Sequence, residues 1–254
     1  MAADEAGWQS ALTDVYLAFQ RNSLLMLFLH CGWPKTGTTS LQNALYMRRQ
    51  ELREVGFINA PQWRVLPDRL NGPEPGAAID EFMQFAADNA ESDVLISCET
   101  FMLMLLTEKR QDLFIQLVEA VQEVVPVVCV WTLRRWDEMV RSYYLWQLMT
   151  GFEPPPFDDY LKPMGIRGMF PGLRRFDEHM GGASVYCKFE LGGSHNEQLL
   201  RIFRVPDEIS ADIRREWRCA PRLNVPPSHK QVAALLNVEW LSRKRAIPRC
   251  CGRP

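Results

Sequence analysis

Two patterns of apolar positions alternate along the chain. Short, nearly continuous apolar runs occur at Leu24 to His30, Asp93 to Ser97, Val127 to Leu133 and Ser184 to Phe189. Runs of this length suit strands buried on both faces. Between them, apolar residues recur every three or four positions. Leu41, Ala44, Leu45 and Leu52 do so from about Thr38; Phe114, Leu117, Val118 and Val121 do so later; and Trp136, Met139, Val140, Tyr143 and Tyr144 fall at i, i+3, i+4, i+7 and i+8. These stripes predict amphipathic helices. Ala78 to Asn89 and Asn196 to Phe203 read as further helices, as do residues 1–22, with Trp8, Leu12, Val15, Tyr16 and Phe19 on one stripe, and a segment from about His229 to Leu241. The proline- and glycine-rich stretches 61–76 and 151–173 predict long loops.

Strands alternating with helices predict an α/β fold, a parallel sheet with helices on both faces. The expected organisation is one domain over 1–254, its core spanning about 24–205, with the N-terminal helix 1–22 and a C-terminal helix and tail, 206–254, packed on it. Ligands of such sheets sit at the carboxyl ends of the strands, so chemistry is sought there.

Composition narrows the function classes. Apolar residues make up 47% and charged residues 24% of the 254, an ordinary globular mix. The formal net charge of −2 excludes a chain-wide basic field for nucleic acid, while leaving room for a local anion pocket. The apolar run Leu24 to Leu29 is far shorter than the about 20 residues that span a bilayer, and the opening MAADEAGWQS has neither the basic start nor the apolar middle of a secretory signal. Of seven cysteines, Cys31, Cys98, Cys129 and Cys187 lie in or beside apolar runs without CxxC spacing, and Cys250 and Cys251 fall in the tail. Buried, reduced thiols in a cytoplasmic protein are expected. No histidine, cysteine or carboxylate cluster has metal-ligand spacing, so no metal is expected.

The candidate chemistry begins where the first strand ends, at Gly32-Trp33-Pro34-Lys35-Thr36-Gly37-Thr38-Thr39-Ser40. A glycine-bearing loop between a buried strand and a helix presents free backbone N–H groups and the positive end of the helix dipole, which favours phosphate or sulfate. The bland alternative is a strand–turn–helix capped by threonine. The loop resembles the nucleotide-binding motif GxxxxGK[ST], with Gly32 and Gly37 as its glycines. Thr38 stands where that motif has lysine, and Lys35 supplies the cation from inside the loop.

The stretch LHCGWPKTGTTSLQNAL resembles the 5′-phosphosulfate loop of the sulfotransferases that use 3′-phosphoadenosine 5′-phosphosulfate, whose loop reads PKTGTT or PKSGTT; Pro34, Lys35, Thr36, Gly37, Thr38 and Thr39 fit it at every position. The resemblance implies a three-layer sandwich like that of the nucleotide-binding P-loop proteins. It also implies that Lys35 contacts the bridging oxygen and the transferring sulfonate, while Gly37, Thr38, Thr39, with Ser40 beside them, hold the 5′-phosphate. A second match is VWTLRRWDEMVRSYY, in which Arg134 closes a strand and Ser142 follows eight residues on. The family assigns this pair to the 3′-phosphate. A guanidinium's fork of donors and a hydroxyl suit phosphate on chemical grounds alone. Arg135 and Trp136 replace the family's usual aspartate and proline. A third, Lys188-Phe189-Glu190-Leu191, looks like the YEDL stretch common in these enzymes and reports fold more than chemistry.

Sulfonate transfer to a hydroxyl needs a proton acceptor. Glu99, in Ile96-Ser97-Cys98-Glu99-Thr100, falls where the small-molecule branch carries its catalytic histidine, and the carbohydrate-modifying branch commonly employs glutamate. A carboxylate there can also simply cap a helix or pair with Arg134 or Lys35. His30, at the end of the first strand, is the rival base. No GxxGxW segment follows, which points away from the steroid and phenol branch and toward the bacterial or carbohydrate type. The resulting expectation is transfer of a sulfo group to a hydroxyl, or an amine, of a carbohydrate or small-molecule acceptor, without metal. The rivals are a P-loop kinase or NTPase and an inactive module of the same fold. Trp33, Trp63, Trp146 and Phe152 are candidate stacking surfaces for the acceptor, and the two proline-rich stretches are its candidate walls. The other histidines, His179, His195 and His229, read as ordinary polar residues. Oligomeric state is not encoded legibly.

Overall fold

The computed structural model describes residues 25–32, 36–149, 155, 157, 166–180, 182–189 and 194–219. The expected helices at 1–22 and His229 to Leu241, the loop residues Trp33, Pro34 and Lys35, Phe152 and the Cys250-Cys251 pair lie outside the described residues.

Five strands form one all-parallel sheet: β1 (Leu27–Gly32), β2 (Phe57–Asn59), β3 (Asp93–Ser97), β4 (Val127–Leu133) and β5 (Ser184–Lys188), in the spatial order β2-β3-β1-β4-β5. The expected α/β class is therefore observed. Strand β1 is central and buried along its whole length. The helices are α1 (Thr38–Met47), α2 (Arg49–Glu54), α3 (Leu66–Leu70), α4 (Pro75–Asp88), α5 (Glu108–Gln122), α6 (Trp136–Met149), α7 (Ile166–Met180), α8 (Ser194–Ile202) and α9 (Asp207–Cys219). No described helix is long and apolar enough to cross a membrane.

Alternation of side chains along the strands divides the core in two. Leu27, Leu29 and Cys31 of β1 face a core shared with Phe82, Phe114, Met139 and Phe176, from α4, α5, α6 and α7. Met26 and Phe28 face the other core, with Leu41, Leu45, Leu52, Leu199, Ile209 and Ile213, from α1, α2, α8 and α9. The α9 segment, placed by the sequence in the region after the core, thus contributes two side chains to it. Each fully buried leucine or phenylalanine contributes about 1.5–3 kcal/mol of transfer free energy. The four cysteines Cys31, Cys98, Cys129 and Cys187 are buried and free, as expected.

Three segments differ from the sequence expectation. Residues 61–76 are not a plain loop: a 3-10 turn (Pro61–Val65), α3 and the start of α4 occupy them. Pro61, Pro67 and Pro75 stand at the first or second helical position, where no N–H is required. Within 151–173, α7 begins at Ile166 and carries Pro171 inside it, because Leu173, Phe176 and Met180 dock on the core strongly enough to override composition. Strand β2 is only three residues long, too short to show a period.

Helix α7 also supports the segment that follows β3, a 3-10 helix (Glu99–Leu105). A Cβ at Gly172 would lie 2.3 Å from the Leu105 carbonyl oxygen and 2.7 Å from Gln111 Nε2. The Gln111 amide in turn donates to the Leu105 carbonyl at 2.8 Å. Gly172 is thus needed for close approach, not for a turn. Gly172→Ala is expected to destabilise the protein by about 1–3 kcal/mol, an overpacking cost, read as a lowered midpoint in urea unfolding; an unchanged midpoint would show that this contact yields freely.

Candidate active site at the carboxyl ends of the strands

The chain leaves β1 through Gly32 and enters α1 through Gly37. At Gly32 an added Cβ would stand 3.1 Å from Thr38 Cγ2 and 3.2 Å from Thr36 Oγ1, so both threonines lie against the strand end. Gly37 has φ 71, in the left-handed region that glycine enters without strain. It is the N-cap of α1, so that position carries a glycine and no capping side chain of its own. The threonine-cap alternative is therefore not what the structure holds. Thr36 and Thr38 are buried, Thr39 is exposed, and the Ser40 hydroxyl turns back to donate to the Gly37 carbonyl at 3.0 Å. The helix N-terminus remains an anion-favouring end, with backbone donors and the positive pole of the dipole together.

Glu99 begins the segment after β3, the strand next to β1. Its carboxylate accepts a hydrogen bond from Thr38 Oγ1, in the first residue of α1. Glu99 is half-buried, and its Cγ lies 3.8 Å from the Cβ position of Gly32. The carboxylate is thus held at the carboxyl end of the sheet, beside the start of α1. Two donors brace the strand end beneath it. Gln42 Nε2 and Arg64 Nε each donate to the Ser97 carbonyl at 3.1 Å. Arg64 brings a half-buried guanidinium to this edge; its place inside a proline-rich stretch gave no sign of that in the sequence.

Arg134 follows β4, on the other side of β1. Its side chain is 10% exposed, its Nε lies 3.5 Å from Glu138 Oε2, and its guanidinium carbon sits 4.9 Å from the Phe189 ring centroid. Ser142 is half-buried on α6, one turn beyond Glu138 on the same helical face. That face is the one that reaches Arg134. Arg135 is instead 70% exposed, pairs with Asp137 at 2.8 Å and shares Glu138 with Arg134.

His30 occupies a different environment. It is fully buried, with Nδ1 2.8 Å from Ser97 Oγ and Nε2 2.8 Å from Thr132 Oγ1. Its ring packs 5.3 Å from that of Phe203, on the α1 and α8 side of the sheet. A neutral imidazole, one nitrogen donating and the other accepting, satisfies both hydroxyls. Burial, with a smaller contribution from His195, pushes its pKa down to about 3. The ring is built into the sheet as a polar tie across β3, β1 and β4, and both its nitrogens are engaged.

His195, read as ordinary from the sequence, is 4% exposed and stands against the loop. A Cβ at Gly37 would meet its Nε2 at 3.3 Å and Phe189 Cε2 at 3.5 Å. Nothing in its local sequence signals this, because the contact joins residues from the two ends of the fold. Among the other candidates, Trp63 is buried against Phe82 and Phe85, a core residue, whereas Trp146 is 39% exposed and stacks on Tyr143. His179 pairs with Glu119 at the surface. Among the described residues, no group of three or more His, Cys, Asp or Glu gathers as a metal site.

The structure thus brings Gly37, Thr38 and Glu99 into one cluster beside β1, and Arg134 with Phe189 and His195 into a neighbouring one that meets it at Gly37. No protein-family model matches the chain, and no curated protein matches it.

The His30 environment has a measurable consequence. With a folded pKa of about 3 against an ordinary value near 6.5, the ring is neutral in both states above about pH 6.5. Below that, the unfolded chain takes up a proton that the folded protein refuses. Stability should fall by up to about 1.4 kcal/mol per pH unit between pH 6.5 and 3 from this group alone. The fall should be shallower in His30→Gln than in the wild type, measured as urea midpoints from pH 7.5 to 4.5; parallel curves would mean that His30 titrates normally.

Proposed function

We propose that the protein is a sulfotransferase that moves a sulfo group from 3′-phosphoadenosine 5′-phosphosulfate to a hydroxyl, or an amine, of a carbohydrate or small-molecule acceptor. The observation that carries this reading is the Thr38–Glu99 hydrogen bond, which sets a carboxylate against the first residue of a glycine-entered helix. An anion-favouring helix start and a proton acceptor in direct contact suit transfer of an anionic group to a neutral nucleophile.

The donor set supports this sulfo donor. Its 5′ end carries two adjoining anionic groups and its 3′ carbon a separate phosphate, so two cationic or amide-rich loci are required. Gly37, Thr38, Thr39 and Ser40, with Pro34, Lys35 and Thr36 before them, supply one by sequence and by the turn at Gly37. Arg134 and Ser142 supply the other from the adjacent strand end and the same face of α6. Thr38 stands where a nucleoside-triphosphate loop has its lysine, and its hydroxyl is engaged by Glu99, an arrangement that favours the sulfo donor over the kinase alternative. When bound, the donor supplies an activated sulfonate with a phosphate leaving group.

The residues would then divide the work as follows. Glu99 takes the proton from the acceptor oxygen as that oxygen bonds to sulfur. The bond between sulfur and the bridging phosphate oxygen breaks, and adenosine 3′,5′-bisphosphate departs with the electron pair. Lys35 neutralises the charge gathering on that oxygen, a task for which the sequence motif is its support. Arg134 and Ser142 fix the nucleotide, and orientation supplies much of the rate. His30 is not needed for proton transfer in this scheme.

Three measurements test it. Adenosine 3′,5′-bisphosphate should raise the melting temperature more than ATP with magnesium does, since a ligand at a hundred times its Kd adds about 2.7 kcal/mol of stability; an equal or reversed ranking would overturn the sulfo-donor reading. Glu99→Gln should keep affinity for the bisphosphate but lose about 10²–10⁴ of turnover with sulfo donor and a panel of sugars, phenols and amines; full activity would remove Glu99 as the base. Lys35→Ala should fold normally and lose transfer; wild-type rates in that variant would remove the mechanism.

A further inference from the structure

We infer that Phe189 and His195 form a positioning stack that holds the Arg134 guanidinium in register with Gly37, so that the two anion-handling clusters act as one rigid cradle. This inference rests on reading the carboxyl end of the sheet as an anion site. Phe189 follows β5 directly, and its N–H donates to the Leu133 carbonyl at 2.7 Å, which ties it to the residue before Arg134. The Arg134 guanidinium carbon lies 4.9 Å from its ring centroid. The His195 ring lies 4.5 Å from the same ring, tilted by 57°. Both rings then abut Gly37, with Nε2 of His195 and Cε2 of Phe189 at 3.3 and 3.5 Å from where a Cβ would be. Four residues from three strand ends and the first turn of α8 are therefore in a continuous chain of contacts.

The contacts suggest positioning and not proton transfer. A guanidinium on a flexible stem loses rotamer freedom when it grips phosphate, and an aromatic face that already holds it removes part of that loss before binding. His195 braces the aromatic ring from α8 and closes the space beside Gly37, which keeps the turn at φ 71 from opening. An aromatic ring at either position preserves this function, whereas an aliphatic residue of similar bulk fills the space without the stacking.

The Arg134 Nε–H resonance reads the stack without any ligand. Assigned by its disappearance in Arg134→Lys, it should be displaced upfield by the Phe189 ring current in the wild type. Phe189→Tyr and His195→Phe should retain that displacement. Phe189→Leu and His195→Ala should return it toward the other arginines or broaden it. Calorimetric Kd for adenosine 3′,5′-bisphosphate should rise at least fivefold in Phe189→Leu and His195→Ala and less than twofold in the two aromatic variants. An undisplaced wild-type resonance, or one unchanged in both Phe189→Leu and His195→Ala, overturns the stack; if those two variants fail to fold, the wild-type spectrum and the aromatic pair decide. A wild type that shows the displacement but does not bind the bisphosphate would overturn the sulfotransferase reading while leaving the stack in place.

Discussion

Strand β1 is buried on both faces up to its last residue, where a Cβ would press on the Thr38 and Thr36 side chains. Everything at the carboxyl end of the sheet follows from that constraint. Gly32 lets the returning loop lie on the strand end, with Thr36 and Thr38 against it. Gly37 then reverses the chain in the left-handed region, so α1 starts with its N-terminus over β1 and not beside it. A side chain at Gly32 would press on Thr36 and Thr38, and one at Gly37 would strain the left-handed turn. The same turn that completes the fold therefore creates the anion-favouring end.

Beneath this turn the sheet carries polar side chains where an all-apolar core would pack more simply. His30, Ser97 and Thr132 bridge β3, β1 and β4, and Gln42 of α1 donates to Ser97 Oγ at 3.1 Å. Buried polar groups cost free energy unless all are satisfied, and here the described partners satisfy the ring on both nitrogens. The gain is geometric specificity: α1, through Gln42, is keyed to the end of β3, and so to Glu99 two residues further on. The rival assignment of His30 as base came from its place at a strand end, which a linear reading cannot tell from a place inside the sheet.

What was legible in the sequence was what local pattern encodes. The buried runs gave four of the five described strands, and glycines at fixed distances marked the turn between β1 and α1. Glu99 and Arg134 were singled out through the resemblance, and their expected place just after strands is observed. The helical turns in 61–76 were hidden, because Pro61, Pro67 and Pro75 serve equally in loops and at helix starts. Helix α7 was hidden for a different reason: Pro171 and Gly172 argue against a helix locally, and docking of Leu173 and Phe176 outweighs them. Arg64 and His195 could not be read at all. Each owes its position to tertiary packing, Arg64 to the Ser97 carbonyl and His195 to Gly37, and neither contact leaves a periodic trace.

The electrostatic balance at Arg134 bears on how this end of the sheet would take up an anion under the proposed function. Its carboxylate partner Glu138 is at 3.5 Å, near the limit of a hydrogen bond, and is 35% exposed. The Phe189 ring holds the guanidinium without neutralising it. A doubly charged phosphate presented to Arg134 offers shorter, charge-assisted bonds than Glu138 does, so binding exchanges a weak pair for a stronger one without first exposing a bare cation. Under the proposed function, the aromatic face keeps the cation oriented while its carboxylate neighbour at 3.5 Å gives way to the phosphate.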